Sequence, residues 1–157
     1  MAYKDVVVYA TRSDGVTFRY NDGDWIVPEG GIEGIDELPA EFYSKTRGYG
    51  TGEILTGVAL LSREITITTC CKIKGSASAN KRKAFMDFHK KASTSGEPFT
   101  YKVYVTYKNQ TVKAENCYLI GSSMPMGNIY SYDSGVVIFK SLDPFLYDNN
   151  GNKIGGI

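Results

Sequence analysis

The sequence predicts an α+β fold, a largely antiparallel sheet or partly open barrel with one inserted helix at about 80–92, and three observations carry that prediction. Residues 61–74 alternate apolar and polar over a full strand length: Ile65, Ile67, Thr69, Cys71 and Ile73 take turns with Glu64, Thr66, Thr68, Cys70 and Lys72. Two pairs of β-rich runs are separated by short turn sequences. Only one stretch carries convincing helical signals, and no βα unit repeats, which argues against a doubly wound fold.

The elements follow in order. Val6–Thr11 and Val16–Tyr20 flank Arg12-Ser13-Asp14-Gly15, and Asp-Gly between such runs signals a hairpin. Asn21-Asp22-Gly23-Asp24 then turns the chain into Trp25-Ile26-Val27, which Pro28 ends by removing an amide donor. From 28 to 57 the periodicity dissolves. Seven glycines (30, 31, 34, 48, 50, 52 and 57) and two prolines interrupt the apolar residues, so this reads as a long irregular arm or loop. Connections of this length are usually functional or disordered. Disorder fits poorly, because Ile32, Ile35, Leu38, Phe42, Tyr43, Tyr49, Ile54 and Leu55 must lie against something, either their own domain or a partner.

The strand at 61–74 is expected at the centre of the sheet, with Cys71 inward and Cys70 outward. After the small residues 75–79, a helix over Asn80–Ala92 is capped by Ser78 or Asn80 and stopped by Gly96 and Pro98. Its apolar stripe is Ala84, Phe85, Phe88 and Ala92, too narrow for a helix that does not dock. Phe99–Tyr107 and Thr111–Ile120 form a second hairpin about Asn109-Gln110, and Ile129–Tyr132 and Val136–Leu142 supply the last strands.

Composition bounds the function. The 157 residues are about one domain's length, read as a single domain over 1–147 with a short tail at 148–157. Charged residues are 22% and balanced to a net +1, and 42% of residues are hydrophobic, so neither disorder nor a dedicated polyanion binder is the expectation. No apolar run approaches a membrane span, and the start lacks an apolar leader core, so a soluble chain is expected. Three cysteines, two of them adjacent, make no disulfide framework and read as reduced.

Candidate chemistry is sparse. His89, the single histidine, has no visible partner and reads as a helix-surface or rim residue. Cys70, Cys71, Cys117 and His89 lack metal-ligand spacing. Gly48-Tyr49-Gly50-Thr51-Gly52 lacks the strand, helix and Gly-Lys-Ser/Thr ending of a phosphate loop, and reads as a plain loop. Asp148-Asn149-Asn150-Gly151-Asn152 departs from a calcium loop in the place of its glycine, and reads as a turn. No catalytic residue, metal site or cofactor is expected. Lys81, Arg82, Lys83, Lys90 and Lys91 against Asp87 make a basic helix face, either a partner face or merely solvated.

The order of these pieces resembles the N-terminal ring-forming domain of the phage distal tail protein family. The carriers are the long loop ending in Gly-Tyr-Gly-Thr-Gly (48–52), the strand with Ser62-Arg63-Glu64-Ile65-Thr66-Ile67, and the helix Lys81-Arg82-Lys83-Ala84-Phe85-Met86-Asp87-Phe88. Gly96-Glu97-Pro98-Phe99 then leads into a hairpin, and Val137-Ile138-Phe139-Lys140-Ser141-Leu142-Asp143-Pro144-Phe145-Leu146-Tyr147 makes a strand and an Asp-Pro-aromatic exit. Together they span about residues 28–147.

The resemblance implies a split-barrel or sandwich-like β domain with one helix, assembled as a hexameric ring in the virion tail. It also implies no catalytic residues, and as partners the tail tube protein, the tape measure and the tail-tip hub. Larger members continue past Tyr147 into a second domain, where only ten residues follow here. A ring subunit needs a large heterologous contact surface, which places Ile32, Ile35, Leu38, Phe42, Tyr43 and Tyr49 against neighbouring subunits or the hub. The alternative is that these residues cover their own barrel. The competing function is a monomeric β-rich module for carbohydrate or single-stranded nucleic acid. The ring reading expects no membrane and no specific nucleic acid among the partners.

Overall fold

The computed structural model describes residues 6–125 and 132–157. Its strands are β1 (Val6–Arg12), β2 (Thr17–Arg19), β3 (Trp25–Ile26), β4 (Ile32–Glu33), β5 (Ala40–Thr46), β6 (Glu53–Leu60), β7 (Arg63–Cys71), β8 (Tyr101–Tyr107), β9 (Gln110–Ser123), β10 (Ser134–Ser141), β11 (Leu146–Tyr147) and β12 (Lys153–Ile154). One helix, α1 (Ser78–Phe88), follows a single 3-10 turn at Gly75–Ala77.

The main sheet runs β2-β1-β8-β9-β10-β7-β3, antiparallel at every step, and curls into a near-closed barrel. Its seam is bridged by Tyr20. The Tyr20 amide donates to the Val8 carbonyl of β1 at 2.9 Å, and its carbonyl accepts from Thr69 Oγ1 of β7 at 2.7 Å. The strand at 61–74 therefore does not sit centrally: as β7 it flanks the seam, with β10 on one side and β3 and β4 on the other. Its odd-numbered face is buried as its alternation requires, with Cys71 inside and Cys70 partly exposed.

Both hairpins form as expected, with a shift in the second. Lys108 and Asn109, with φ of 46° and 68°, are its turn residues, rather than Asn109 and Gln110. On β9 the inward residues change from even (Val112, Ala114) to odd (Cys117, Leu119), because the pairing slips beside Asn116, whose φ is 53°. Strand residues expected at Ile129–Ser131 lie outside the described residues, and Tyr132 is not in a strand.

Helix α1 ends at Phe88, four residues before the expected Ala92. Arg12, remote in sequence, takes its last carbonyls, its guanidinium donating to Asp87 and Phe88, while the Tyr101 hydroxyl holds the chain just beyond the helix by donating to the Lys90 carbonyl at 2.5 Å. Of the expected stripe only Phe85 and Phe88 are buried, while Ala84 is exposed and Ala92 lies beyond the helix. An eleven-residue helix persists only by docking, and those two rings pack against Phe18, Trp25 and Tyr101.

Past the Asp143-Pro144 exit the chain is not a loose tail. Leu146 pairs with Ile154 and Tyr147 with both Lys153 and Lys113 of β9, so β11 and β12 form a small hairpin against the barrel. Its turn is the expected one at 148–152, where the Asp148 carboxylate accepts the Asn150 and Asn152 amides.

Candidate interaction site

The segment read as irregular contains a second, two-stranded sheet of its own, β5 paired with β6. Register assigns its faces. Ala40 opposes Leu60 and Phe42 opposes Val58, whereas Glu41 opposes Ala59 and Tyr43 opposes Gly57. Between Tyr43 and Ser44 the pairing jumps from Gly57 to Leu55, leaving Thr56 as the extra residue of a bulge. The bulge brings Leu55 onto the Phe42 face, although simple alternation places it on the other.

That face carries Ala40, Phe42, Leu55, Val58 and Leu60, and it is open to solvent: Phe42 is 68% exposed, Leu55 57% and Val58 52%. The opposite face holds Tyr43, whose hydroxyl donates to Glu41, together with Lys45, Ile54 and Ala59. At the tip the Gly48–Gly52 segment is a turn without regular structure, as expected, and Tyr49 there is 97% exposed. A lone two-stranded ribbon is marginally stable in water, and nothing in the described residues covers the apolar face of this one.

The residues expected to act together divide into two groups. Ile32 pairs with Ile67 of β7, and Ile32 and Ile35 pack against the core from the root of the hairpin. Leu38 is partly buried beside Gly155. Phe42, Tyr43 and Tyr49 stand out in solvent, Phe42 and Tyr43 on opposite faces.

The root is organised by a residue that the sequence reading names only within the strand 62–67, with no role of its own. Arg63 is 2% exposed, and its guanidinium donates to three backbone carbonyls: Pro144 at 3.0 Å, Gly34 at 2.6 Å, and Gly155. Burial lowers its pKa, and Asp36 partly offsets this. The available signal is parity, since Arg63 shares the inward face of Ile65 and Ile67.

The basic residues do not form one helix face. Lys81 pairs with Asp24 at 2.6 Å, and Arg82 donates to the Met124 carbonyl. Lys83 is exposed on α1, while Lys90 and Lys91 are exposed beyond its end.

His89 requires correction: it is not on the surface but 4% exposed, because the chain leaves the helix at this residue, with φ −86° and ψ 82°, and turns the ring inward. The Phe85 carbonyl, 2.7 Å from Nδ1, only accepts, so Nδ1 carries the proton. Nε2 then accepts from the Tyr20 hydroxyl at 2.5 Å. Burial drives the His89 pKa down to about 4, with the Phe85 bond opposing and Arg12 reinforcing. With both nitrogens engaged inside a ring of Phe18, Phe85, Phe88 and Phe139, the imidazole is a neutral packing element. Burial also pushes the Cys117 thiol up to about 12, and Cys71 upward.

Among the described residues no three His, Cys, Asp or Glu side chains cluster to hold a metal, and no helix is long and apolar enough to cross a membrane.

No protein-family model and no curated protein sequence matches the chain. Solved structures do. The chain superimposes on Dit (gp 19.1) of SPP1, described as a paradigm of the hub adsorption apparatus of phages infecting Gram-positive bacteria, with a TM-score of 0.58 and 16% identity. That match covers 90% of this chain and 52% of Dit, so the chain spans about half of Dit's length. It is also similar to the sheath/tube terminator of the extracellular contractile injection system PVC (TM-score 0.52, 8% identity, 90% of this chain and 91% of the other). A third match is to a chain of the six-fold symmetrised baseplate of the anti-feeding prophage (TM-score 0.51, 10% identity, 99% and 95%). The fold read from the sequence is thus the fold these proteins share.

Proposed function

We propose that this chain is a structural component of a phage or phage-derived tail, a ring-forming adaptor that joins the tail tube to the tail-tip or baseplate hub. The observation that carries the reading is the 40–60 hairpin. A two-stranded ribbon with Phe42, Leu55, Val58 and Leu60 in solvent is stabilised further when a neighbour covers that face. Contact between the hairpin of one subunit and a different surface of the next is heterologous, and heterologous contacts generate rings when the rotation closes. The likeness to tube-terminator and baseplate chains supports the same role, and the six-fold baseplate match supports six subunits.

In this reading the partners are the tube protein, the tape measure and the tail-tip hub, the location is the virion tail, and the chain works by contact alone, without cofactor or catalysis. Sedimentation of the chain with its tube partner tests it. The proposal expects a species of several subunits that survives chelators. A chain that stays monomeric with every tail partner present, yet retains a carbohydrate or single-stranded nucleic acid at physiological salt, belongs to the competing class of binding modules.

A further inference from the structure

The hairpin leaves the barrel through residues 34–39, and the end of the described chain lies across that root. The Ile157 amide donates to the Ile35 carbonyl at 2.9 Å. Gly156 passes so close that an added Cβ would fall 2.3 Å from the Asp36 carbonyl oxygen and 2.9 Å from the Glu37 nitrogen. At Gly155 a Cβ would meet that of Leu38 at 3.3 Å, and the Gly155 carbonyl accepts from Arg63, which also holds Gly34 and Pro144. This end is itself anchored: Ile154 pairs with Leu146, and the neighbouring Tyr147 pairs with Lys113 of β9. A continuous set of backbone contacts thus runs from β9 through β11 and β12 to the root of the hairpin, where the Leu61 amide closes the base by donating to the Pro39 carbonyl at 3.0 Å.

We infer that residues 155–157 are a positioning strap: locked between Arg63 and residues 34–38, they set the direction in which the 40–60 hairpin leaves the barrel and so present its apolar face pre-organised to the next subunit. What the strap is for rests on the reading of the hairpin as a contact arm; its mechanical action does not. Two adjacent glycines follow from the geometry, since the strap lies within backbone distance of the root and a side chain at 156 would push it off. Holding the arm in one orientation removes part of the ordering cost that a swinging ribbon meets on binding.

Amide hydrogen exchange on the isolated chain tests the inference, comparing wild type with Ile157→Pro, which removes the donor to Ile35, and with Gly156→Ala, which displaces the strap. Both substitutions fall outside the strands, after β12; Ile157 also packs against the core, and Gly156→Ala leaves that side chain in place. The expected result is exchange about five- to tenfold faster over residues 34–46 in both variants, with β8 and β10 unchanged, as for local release of one hydrogen-bonded contact. Unchanged exchange at 34–46 overturns the strap, and so does acceleration that rises equally in β8 and β10, which would report global destabilisation. Because the measurement needs no second subunit, the strap can fail while the arm reading stands, and the arm can fail while the strap stands.

Discussion

The Tyr20 hydroxyl donates to His89 Nε2 across 2.5 Å in the interior, so one residue closes the barrel seam with its backbone and fixes the end of the helix with its side chain. Tyr20→Phe keeps the ring and leaves Nε2 buried without a donor. That is expected to cost about 1–3 kcal/mol, read from a lowered urea midpoint at unchanged slope. A loss under about 0.5 kcal/mol would contradict this account of the pair.

His89 also sets a pH dependence. Its folded pKa of about 4 lies below the ordinary 6.5, so between these values the unfolded chain binds the extra proton. Stability is therefore full above about 6.5 and falls as the pH drops toward 4, by on the order of 3 kcal/mol at most. Asp14, held down by Arg12, and Asp148, held down by the Asn152 amide, add losses only at lower pH, below the ordinary carboxylate value. Urea unfolding at pH 7.5 and 4.5 checks the sign, and His89→Gln should flatten the difference between them.

Phe85 is fully buried and packs edge-on against Phe18 and tilted against Trp25 and His89, with Gly135 beneath it so close that a Cβ there would lie 2.7 Å from the ring. Phe85→Ala is expected to cost about 3–5 kcal/mol in chemical denaturation, because the helix loses its main docking group. A loss below about 1 kcal/mol would mean that α1 is held by something else.

Gly34 has a φ of 91°, and an added Cβ would fall 1.8 Å from the Glu64 carbonyl oxygen. Gly34→Ala must therefore move backbone against backbone at the root of the hairpin. It should destabilise by more than the roughly 1 kcal/mol typical of point substitutions, with the melting temperature as readout.

What the sequence makes legible follows from how far each signal reaches. The inward face of β7 is readable because its alternation persists across a whole strand. The hairpin at 40–60 is not, for two reasons: the bulge at Thr56 changes the parity of β6, and exposure of both faces removes the apolar-polar contrast on which a strand reading depends. Helical periodicity carries α1 on to Ala92, but the helix stops where Arg12, distant in sequence, takes its terminal carbonyls and Tyr101 holds the chain just beyond them. The same stop turns His89 from an expected rim position into the core. Parity places Arg63 on the inward face of β7, but its role is missed because its partners are backbone carbonyls, which no side-chain pattern reveals.

The Phe42 face of the hairpin is proposed as an assembly contact rather than as cover for its own barrel. Phe42→Ser combined with Val58→Ser, two residues paired directly across the ribbon, tests it when subunit mass in the presence of the tube partner and thermal unfolding of the isolated chain are measured together. Interface energy concentrates in such apolar anchors, whereas substitutions at exposed positions usually change folding by less than about 0.5 kcal/mol. The expected double variant melts as the wild type does and no longer forms the ring. A variant that melts far lower on its own, yet still assembles once folded, would contradict the proposal.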